Sequence, residues 1–574
     1  MKFGNLKSFA DSKKVKYSTL NIALIAIVVA IVIMLNSIVT VLSDKFGWYV
    51  DMTEEQLYTV SDELIALMET EIVSENAQID IIFCCDKDQA EKHYSDISSG
   101  NVLAYVHSTA TQIAERLDNV SVMYIDPVKD YEFISKFNQV STQINPSEST
   151  VIVARRNADG SYGTMYRTYH VTSFYTFASE VDGSSTIYGY NGERTFASAI
   201  VSLTNDVAPS VYFVAGHGED IPYSSSDGNY YIPQIARTYI DCGFRVKYIF
   251  LDDMQFSCRT DGCVETWGLK EVNKLKEFRC ELCNATYKMS EVGDKFTEER
   301  TVPSDANTVI INNPDSDYFP NELTKLSNYL IGKQKGTLMC FLKPVGKGGN
   351  PGHFENLYTF IKEETGVTVN GNDFVVDKNT TSLGGAYDFR GEVATNKASS
   401  TYLSALQEFG AKTPIFKYSG TLDIDPNFMS LDGEPLSDIL ADRVTMPLIQ
   451  TGSGAVFNNQ SGTYNVMTVT SLTTQYAEGG DFAYSYVVVS ASADFASDAY
   501  MSNHMYPNED ILMGLIHSTA QRTVPVDLQF KTFANYKLDI TSGQASGVFI
   551  ALVSIMPWIV IVTGIIVIVR RKHR

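Results

Sequence analysis

Two long uncharged apolar runs, one near each end of the chain, limit most strongly what this protein can fold into. The first covers residues 17–43 and the second covers residues 541–569, and neither contains an Asp, Glu, Lys or Arg. An α-helix needs about 20 apolar residues to cross the hydrocarbon core of a bilayer. We therefore predict a transmembrane helix in each run, with about 500 residues between them.

Basic residues flank both runs on the outer side of the sequence. Lysines occur throughout residues 1–16, and residues 570–574 form a basic tail. The positive-inside tendency predicts that both termini are cytoplasmic and that the large middle part lies outside the cytoplasm. The first run could instead be a cleaved signal peptide, because a Lys-rich start and the small residue Ser43 fit that reading. Signal-peptide cores are usually about 7–15 residues, which favours an uncleaved anchor.

The net charge restricts the partners of the middle part. The formal charge of the chain is -22. Because both ends of the chain are basic, the part between them is more acidic than this total. Such a domain is repelled by phosphate backbones, which excludes nucleic acid as an expected partner. With 44% hydrophobic residues the chain can build several cores. We find no clear short-period repeat.

The first part of the ectodomain, residues 75–205, follows a juxtamembrane connector at 44–74 and predicts an α/β unit. Buried strands are expected at 78–84, 120–125 and 150–154, with helical patterns at 102–117 and 131–137. The order β-α-β-α-β is typical of a mainly parallel sheet, here with a thioredoxin-like topology. Cys84 and Cys85 are adjacent rather than spaced C-x-x-C, so we expect core packing from them and no redox motif.

A second α/β unit is predicted at 206–380, and the region 381–540 is expected to complete it and return to the membrane. Strands are indicated at 210–215, 245–251, 308–312, 336–342 and 485–490, and helices at 232–239, 322–331 and 508–520. The predicted architecture is thus a tandem, open parallel-sheet ectodomain between two transmembrane helices. Ligands of such sheets bind beyond the carboxyl ends of the strands.

One loop at such a strand end has the residues of a candidate ligand or partner site: Gly216, His217, Gly218 and Glu219. Glycines permit a tight turn, and His217 can donate, accept or titrate. Catalysis would also need a nucleophile, and no G-x-S-x-G elbow is present. A structural loop, a ligand or partner contact, and a hydrolase centre are the three alternatives, and we assign no catalytic residue.

A four-cysteine insert at 254–303 interrupts the second unit. Cys258, Cys263, Cys280 and Cys283 are spaced C-x4-C-x16-C-x2-C. Two close pairs separated by a loop suit a tetrahedral zinc site with four thiolate ligands. Two disulfides or unpaired thiols are the alternatives, since the compartment is expected to be extracytoplasmic. Four protein ligands leave no open position, so such a zinc would be structural.

Several segments, in this order, resemble one family. They are DMTEEQLYTVSDE at 51–63, the Gly192-Glu193 turn with FASAIVSLT at 196–204, VYFVAGHGE at 211–219, INNPDSDYFPNEL at 311–323 and ADFAS at 493–497. Together they resemble the gliding-motility-type (GldG-like) auxiliary proteins of ABC transporters over nearly the whole chain. The cysteine insert departs from the family pattern.

The resemblance implies a membrane-anchored accessory subunit that works with a separate ATPase and permease. It implies an amidotransferase-like fold for the large domain, but no substrate and no catalytic residues. The absence of a G-x-x-x-x-G-K-[ST] pattern agrees with an accessory role, because the chain lacks the P-loop for ATP. The rival functions are a membrane-bound hydrolase or amidase that uses His217, and a surface-binding protein without a transporter.

Overall fold

A computed structural model describes residues 59–533 with internal gaps, the longest at 92–102, 404–412 and 429–442, together with scattered helical positions within 27–38 and 562–570. The chain divides into two compact units, residues 1–531 and residues 532–574. The predicted segments 1–16 and 571–574 lie outside the described residues, as do the two apolar runs apart from those scattered positions. Within the part that is described, no helix combines the length and the apolar character needed to cross a bilayer.

The chain first forms a helix and a small mixed sheet. The elements are α1 (Asp62–Ser74), β1 (Gln78–Phe83), α2 (Lys87–Ala90), α3 (Leu103–Arg116), β2 (Val120–Tyr124), α4 (Tyr131–Ser135), β3 (Thr150–Arg156), β4 (Tyr166–His170), β5 (Tyr175–Ser179), β6 (Ser185–Tyr190) and α5 (Gly192–Thr204). Ser61 caps α1, because its hydroxyl accepts a hydrogen bond from the Leu64 N–H at 3.3 Å.

The strand order of this sheet is β2-β1-β3-β4. β1 and β2 are parallel, whereas β3 is antiparallel to both of its neighbours. The expectation of a mainly parallel sheet is therefore wrong for this unit, although the strands themselves were predicted to within two residues. β1 is buried along almost its whole length, which is why its apolar run was readable from the sequence.

An eleven-stranded mixed sheet dominates the rest of the chain. The elements before its insert are β7 (Ser210–Val214), β8 (Tyr223–Ser224), β9 (Tyr230–Tyr231), α6 (Gln234–Asp241) and β10 (Arg245–Ile249). The elements after it are β16 (Ala306–Asn312), α9 (Pro320–Ile331), β17 (Thr337–Phe341), α10 (Glu355–Thr365), β18 (Val367–Asn370), β19 (Val376–Asp377), β20 (Asp388–Val393), α11 (Lys397–Tyr402), β21 (Ile415–Lys417), β22 (Thr421–Ile424), β23 (Arg443–Thr451), β24 (Ala455–Phe457), β25 (Gln460–Ser461), β26 (Asn465–Tyr476), β27 (Phe482–Ser490), α12 (Asp498–Met501), α13 (Asn508–Ala520) and β28 (Lys531–Thr532).

Five strands of this large sheet are parallel neighbours, and the other six pair antiparallel. Strands β10, β7, β16, β17 and β27 lie side by side and parallel, and β26, β23, β20 and β21 continue the sheet in antiparallel pairs. Strand β22 pairs antiparallel with β26 and with β18 beside this row. The prediction of an open parallel sheet is thus correct for one half only. The change to antiparallel pairing begins between β26 and β27. The residues between these two strands are too few for a crossover connection and can join only antiparallel strands.

The cysteine insert separates β10 from β16 and forms small hairpins of its own. Its elements are β11 (Met254–Ser257), β12 (Thr266–Gly268), α7 (Leu269–Val272), β13 (Glu277–Arg279), β14 (Thr286–Lys288), α8 (Met289–Val292) and β15 (Glu298–Glu299). β11 pairs with β12 and with β15, and β13 pairs with β14, all antiparallel. The insert has its own small core, which includes Phe256, Val272, Phe278 and Val292.

Candidate functional site

The four cysteines of the insert meet at the ends of its two main hairpins. Cys258 follows β11 and Cys263 precedes β12, while Cys280 follows β13 and Cys283 precedes β14. Each hairpin therefore presents one pair of thiols, as the spacing predicted. All four sulfur atoms lie within 4.8 Å of one another.

The distances between the sulfur atoms suit one shared metal ion. The Sγ atoms of Cys258 and Cys283 are 3.5 Å apart, and those of Cys263 and Cys280 are 3.4 Å apart. A tetrahedral ion with Zn–S bonds of about 2.3 Å places its sulfur ligands roughly 3.8 Å from one another. A disulfide would bring its sulfurs to about 2.05 Å, much closer than these distances. The group can hold a metal ion.

Polar neighbours favour thiolate at two of these positions. Burial raises the pKa of Cys258, but hydrogen bonds with Tyr287 and Thr260 outweigh burial and lower the pKa to about 6. The Tyr287 hydroxyl lies 3.1 Å from the Cys258 sulfur. The pKa of Cys283 is also lowered, first by the Thr260 hydroxyl. The thiolate is the form of cysteine that binds metal.

The insert is an internal duplication, although no clear short-period repeat was expected. Both halves follow the pattern F-x-C, C-x2-T-[WY]-x-[LM]-x-E-V, once in 256–272 and once in 278–292. Each half folds as a hairpin followed by a one-turn helix. Equivalent residues of the two halves, Phe256 with Phe278 and Val272 with Val292, pack in one core. The signal was present in the sequence, but it spans only two copies with unequal spacing between the cysteines.

One buried ion pair lies within the insert, and a second joins the insert to the large sheet. Arg300 is fully buried and donates to Glu271 at 2.9 Å and to Thr266 at 2.8 Å. Glu265, just after the first cysteine pair, pairs with Lys247 on the edge strand β10. The insert therefore lies beside β10, as its position in the chain between β10 and β16 requires.

The Gly216–Glu219 loop follows β7, at the carboxyl edge where it was expected. Gly216 and Gly218 have φ angles of 126° and 84°, which a residue with a side chain rarely adopts. A Cβ on Gly218 would lie 2.8 Å from the Cβ of Asp315. Both glycines are exposed, whereas the side chains of His217 and Glu219 are buried.

His217 lies between two carboxylates and an aromatic ring. Its Nε2 is 3.2 Å from Glu322 and its Nδ1 is 3.4 Å from Glu219. The ring of Tyr318 packs against the imidazole with 4.1 Å between centroids, and the Tyr318 hydroxyl donates to Glu219. The His217 side chain thus connects the loop after β7 to the start of α9, and its exposed fraction is 8%.

The two carboxylates keep His217 protonated. Burial lowers the pKa of His217, but its contacts with Glu219 and Glu322 outweigh burial and raise the pKa to about 9. Burial raises the pKa of Glu219, but hydrogen bonds from His217 and Tyr318 lower it overall. A protonated imidazole between two carboxylates stabilises the contact between the loop after β7 and helix α9. In that protonation state it cannot act as a general base at neutral pH.

We expect the stability of the protein to fall as the pH rises from 7 to 10. The contribution of His217 is fully present below its unfolded pKa of about 6.5 and is lost as the pH rises through about 9, which corresponds to about 3 kcal/mol. Unfolding by denaturant at several pH values measures this. His217→Gln should flatten the profile in that window. The matched control is His353→Gln, since His353 is exposed and contacts the carbonyl of Asp315 at 2.6 Å and the ring of Phe354 rather than a pair of carboxylates. An unchanged slope in His217→Gln would contradict the assignment.

A second cluster forms around Glu193, which is 5% exposed at the start of α5. The Ser61 N–H donates to Glu193 at 3.3 Å, and the Ser61 hydroxyl donates to it as well. Lys531 forms an ion pair with Glu193 at 2.5 Å and donates to the carbonyl of Thr59. Residues 59–61 and residue 531 therefore meet at one carboxylate. The sequence placed Glu193 in one of the segments that resemble the family. No local pattern indicates that its partners are Ser61 and Lys531, which are far away in the chain.

The structure brings the resembling segments together in pairs. The segment at 51–63 contacts the Gly192-Glu193 turn through Ser61. VYFVAGHGE contacts INNPDSDYFPNEL through His217, Tyr318 and Glu322. The remaining segment, ADFAS, lies just before α12, where Asp498 accepts a hydrogen bond from the Gln234 N–H at 2.7 Å.

Comparisons with known proteins identify no family. No family model matches the chain, and no curated protein matches it. Two solved structures are similar to part of it. The mmIFT52 N-terminal domain has a TM-score of 0.31 and 13% identity, and the match covers 54% of this chain and 97% of that one. A cytoplasmic protein of Salmonella typhimurium LT2, STM1381, has a TM-score of 0.27 and 11% identity, with 54% and 98% covered.

Proposed function

We propose that this chain is a membrane-anchored, non-ATPase auxiliary subunit of an ABC transport system, whose extracytoplasmic domain recognises a substrate, an envelope component or a partner. The observation that carries the proposal is the meeting of residues 59–61 and 531 at Glu193. The segments that lead toward the two apolar runs start from one place on the domain. A domain held by two adjacent tethers suits an accessory subunit whose helices pack against a permease.

The contacts between the resembling segments support the same proposal. Segments far apart in the sequence form two buried polar clusters, one at Glu193 and one at His217. We assign the first sheet to a thioredoxin-like topology, on its order β2-β1-β3-β4 with one parallel pair and an antiparallel β3–β4 hairpin. We assign the large domain to an amidotransferase-like fold on its five adjacent parallel strands, which is an argument by analogy.

We further propose that the four cysteines bind one structural zinc ion. The sulfur–sulfur distances and the duplicated hairpins support this, and four thiolate ligands would leave no position for water or substrate. Zinc would then add to the stability that the small hydrophobic core of the module supplies.

The geometry of His217 favours a structural role over the alternative of a hydrolase or amidase. Its two ring nitrogens face Glu219 and Glu322, and little of the ring is accessible to a substrate. Replacing His217 with Ala should therefore lower stability and leave any transport phenotype of the folded protein intact. Loss of that phenotype at normal protein levels would support the enzyme instead.

Purification of the full-length protein from native membranes in a mild detergent tests the auxiliary role. We expect an ATPase and a multi-span permease to co-purify. A variant that ends at residue 540 should lose much of the permease while its domain stays folded, because it lacks the second tether. A reporter at residue 300 should be located outside the cytoplasm. Consistent absence of both partners would favour a surface-binding protein, and a cytosolic reporter would exclude the proposed topology.

A further inference from the structure

An open pocket of about 340 Å³ lies between the cysteine insert and the edge strand β10. Strands β7 and β10 supply one wall, and the part of the insert from β12 to β13 supplies the other. Its volume is at the lower end of the range of about 300–1,000 Å³ that is usual for ligand sites. None of the four cysteines lines it, and neither does His217.

The part of the pocket that solvent reaches is largely apolar. Leu275 and Tyr248 lie at its mouth with exposed fractions of 48% and 38%. Trp267 is half-buried, and its ring packs against the buried ring of Phe278 with 4.9 Å between centroids. Large apolar side chains that stay exposed beside one another are typical of binding surfaces. The pocket therefore suits a large apolar group of another molecule.

The turn after α7 places Leu275 at the mouth. The Leu275 N–H donates to the Val272 carbonyl at 2.9 Å, so the chain reverses before it enters β13. Val272 is 4% exposed and belongs to the core of the insert, whereas Leu275 does not. The insert can thus fold without Leu275, and its exposure is available for binding.

The two carboxylates that line the pocket are already bound within the protein. Glu265 is 3% exposed and forms ion pairs with Lys247 and, at 3.6 Å, with Arg245. Glu271 accepts a hydrogen bond from the buried Arg300 at 2.9 Å. Neither carboxylate is therefore available to a cationic ligand.

The surface around the mouth is positively charged. Residues 274–279, KLKEFR, carry three cations and one carboxylate, and the side chains of Lys274, Lys276 and Arg279 are exposed. Within the described part of the chain, neither lysine forms an ion pair. The chain as a whole has a formal charge of -22, so this rim is opposite in sign to the rest of the protein. Complementary charge favours an anionic partner here.

We propose that the pocket and its rim bind an acidic peptide segment of a partner protein, with one large apolar side chain in the pocket. A peptide suits the site better than a small anion, because the cations lie outside the apolar pocket and are spread over six residues. The buried anchor would supply most of the affinity, and the flanking carboxylates would select the register and the partner. The proposal deepens the recognition role given above and rests on that role for its biological use.

Calorimetry with blocked pentapeptides and the full-length protein in detergent tests the site. The first probe has tryptophan between two pairs of acidic residues, the second has alanine in place of tryptophan, and the third has lysines in place of the acidic residues. We expect the first to bind at one site and the third not to bind. The alanine peptide should bind about tenfold more weakly or worse, because it buries no large side chain. Raising the salt from about 0.1 M to about 1 M should also weaken the first probe.

Three variants locate the site. Leu275→Glu places a carboxylate at the mouth and should abolish binding of the first probe. Lys274→Glu combined with Lys276→Glu should weaken binding about tenfold, since two attractive contacts become repulsive. The matched control combines Lys343→Glu with Lys362→Glu, which changes the net charge equally at two exposed lysines that do not line the pocket. Denaturant unfolding checks that each variant is folded.

Binding of none of the peptides would overturn the proposal. Equal affinity for the acidic and the alanine peptide would overturn the role of the pocket, and equal affinity for the acidic and the lysine peptide would overturn the role of the rim. Unchanged affinity in Leu275→Glu would overturn the location. N-acetyltryptophan binding as tightly as the acidic peptide would overturn the peptide class in favour of a small aromatic acid. Co-purification of the ATPase and the permease with Leu275→Glu reports on the proposed function separately.

Discussion

Replacing Cys280 with serine is expected to release zinc from the protein and to unfold the insert at 254–303. The unmodified protein should carry one zinc ion per chain after purification without chelators. Cys280 is fully buried, and the core of the insert is small, so we expect metal binding to supply much of the folding free energy of the insert. Structural zinc sites contribute about 10–16 kcal/mol of apparent binding free energy.

Metal analysis and limited proteolysis measure this result. We expect Cys280→Ser, and the unmodified protein treated with a strong chelator, to be cleaved within 254–303 while the large sheet stays protected. Cys340→Ala is the control, because Cys340 is buried in β17 of the large sheet. That variant should lower global stability by a cavity effect of about 1–2 kcal/mol and keep its zinc. Absence of zinc from the unmodified protein, with the four thiols free or oxidised, would contradict the proposal.

Replacing Glu193 with alanine is expected to lower the free energy of unfolding by about 3–5 kcal/mol, because removal of one partner from a buried ion pair leaves the other uncompensated. The variant would leave Lys531 without its carboxylate and Ser61 without its acceptor. Helix α1 should then separate more readily from α5. Denaturant unfolding and faster hydrogen exchange over residues 62–74 are the measurements.

Two further variants sharpen this second experiment. Glu193→Gln keeps an acceptor for Ser61 but removes the charge that pairs with Lys531, so we expect an intermediate loss. Glu69→Ala replaces an exposed glutamate of α1 and should change stability by less than about 0.5 kcal/mol. Equal stability of Glu193→Ala and Glu69→Ala would show that the carboxylate does not hold the two ends of the domain together.

The strands and helices of the α/β units were largely predictable, because buried elements have long apolar runs bounded by turn residues. The strand predicted at 210–215 is observed at Ser210–Val214, and the helix predicted at 322–331 is observed at Pro320–Ile331. The region from about 380 to 480 is less regular in sequence, yet it supplies most of the antiparallel half of the large sheet. Its strands are mixed with polar residues, and their pairing depends on neighbours far along the chain.

The candidate sites also differ in how much of their geometry a local sequence pattern indicates. The cysteine spacing is local, so the sequence indicated two thiol pairs that suit a shared metal site, with disulfides and unpaired thiols as alternatives. His217 was singled out as a candidate ligand or partner residue with Glu219 beside it, but its spacing could not show that Glu322 lies against the other ring nitrogen.

The sequence by itself determined the apolar runs, the acidic middle, the two-part α/β order and the cysteine quartet. Each of these depends on composition or on spacing within a few tens of residues. Tertiary structure alone decided the mixed strand order, the burial of His217 between two carboxylates and the meeting of Ser61, Glu193 and Lys531. Those features depend on which distant segments pack together, and no local pattern of residue types specifies that choice.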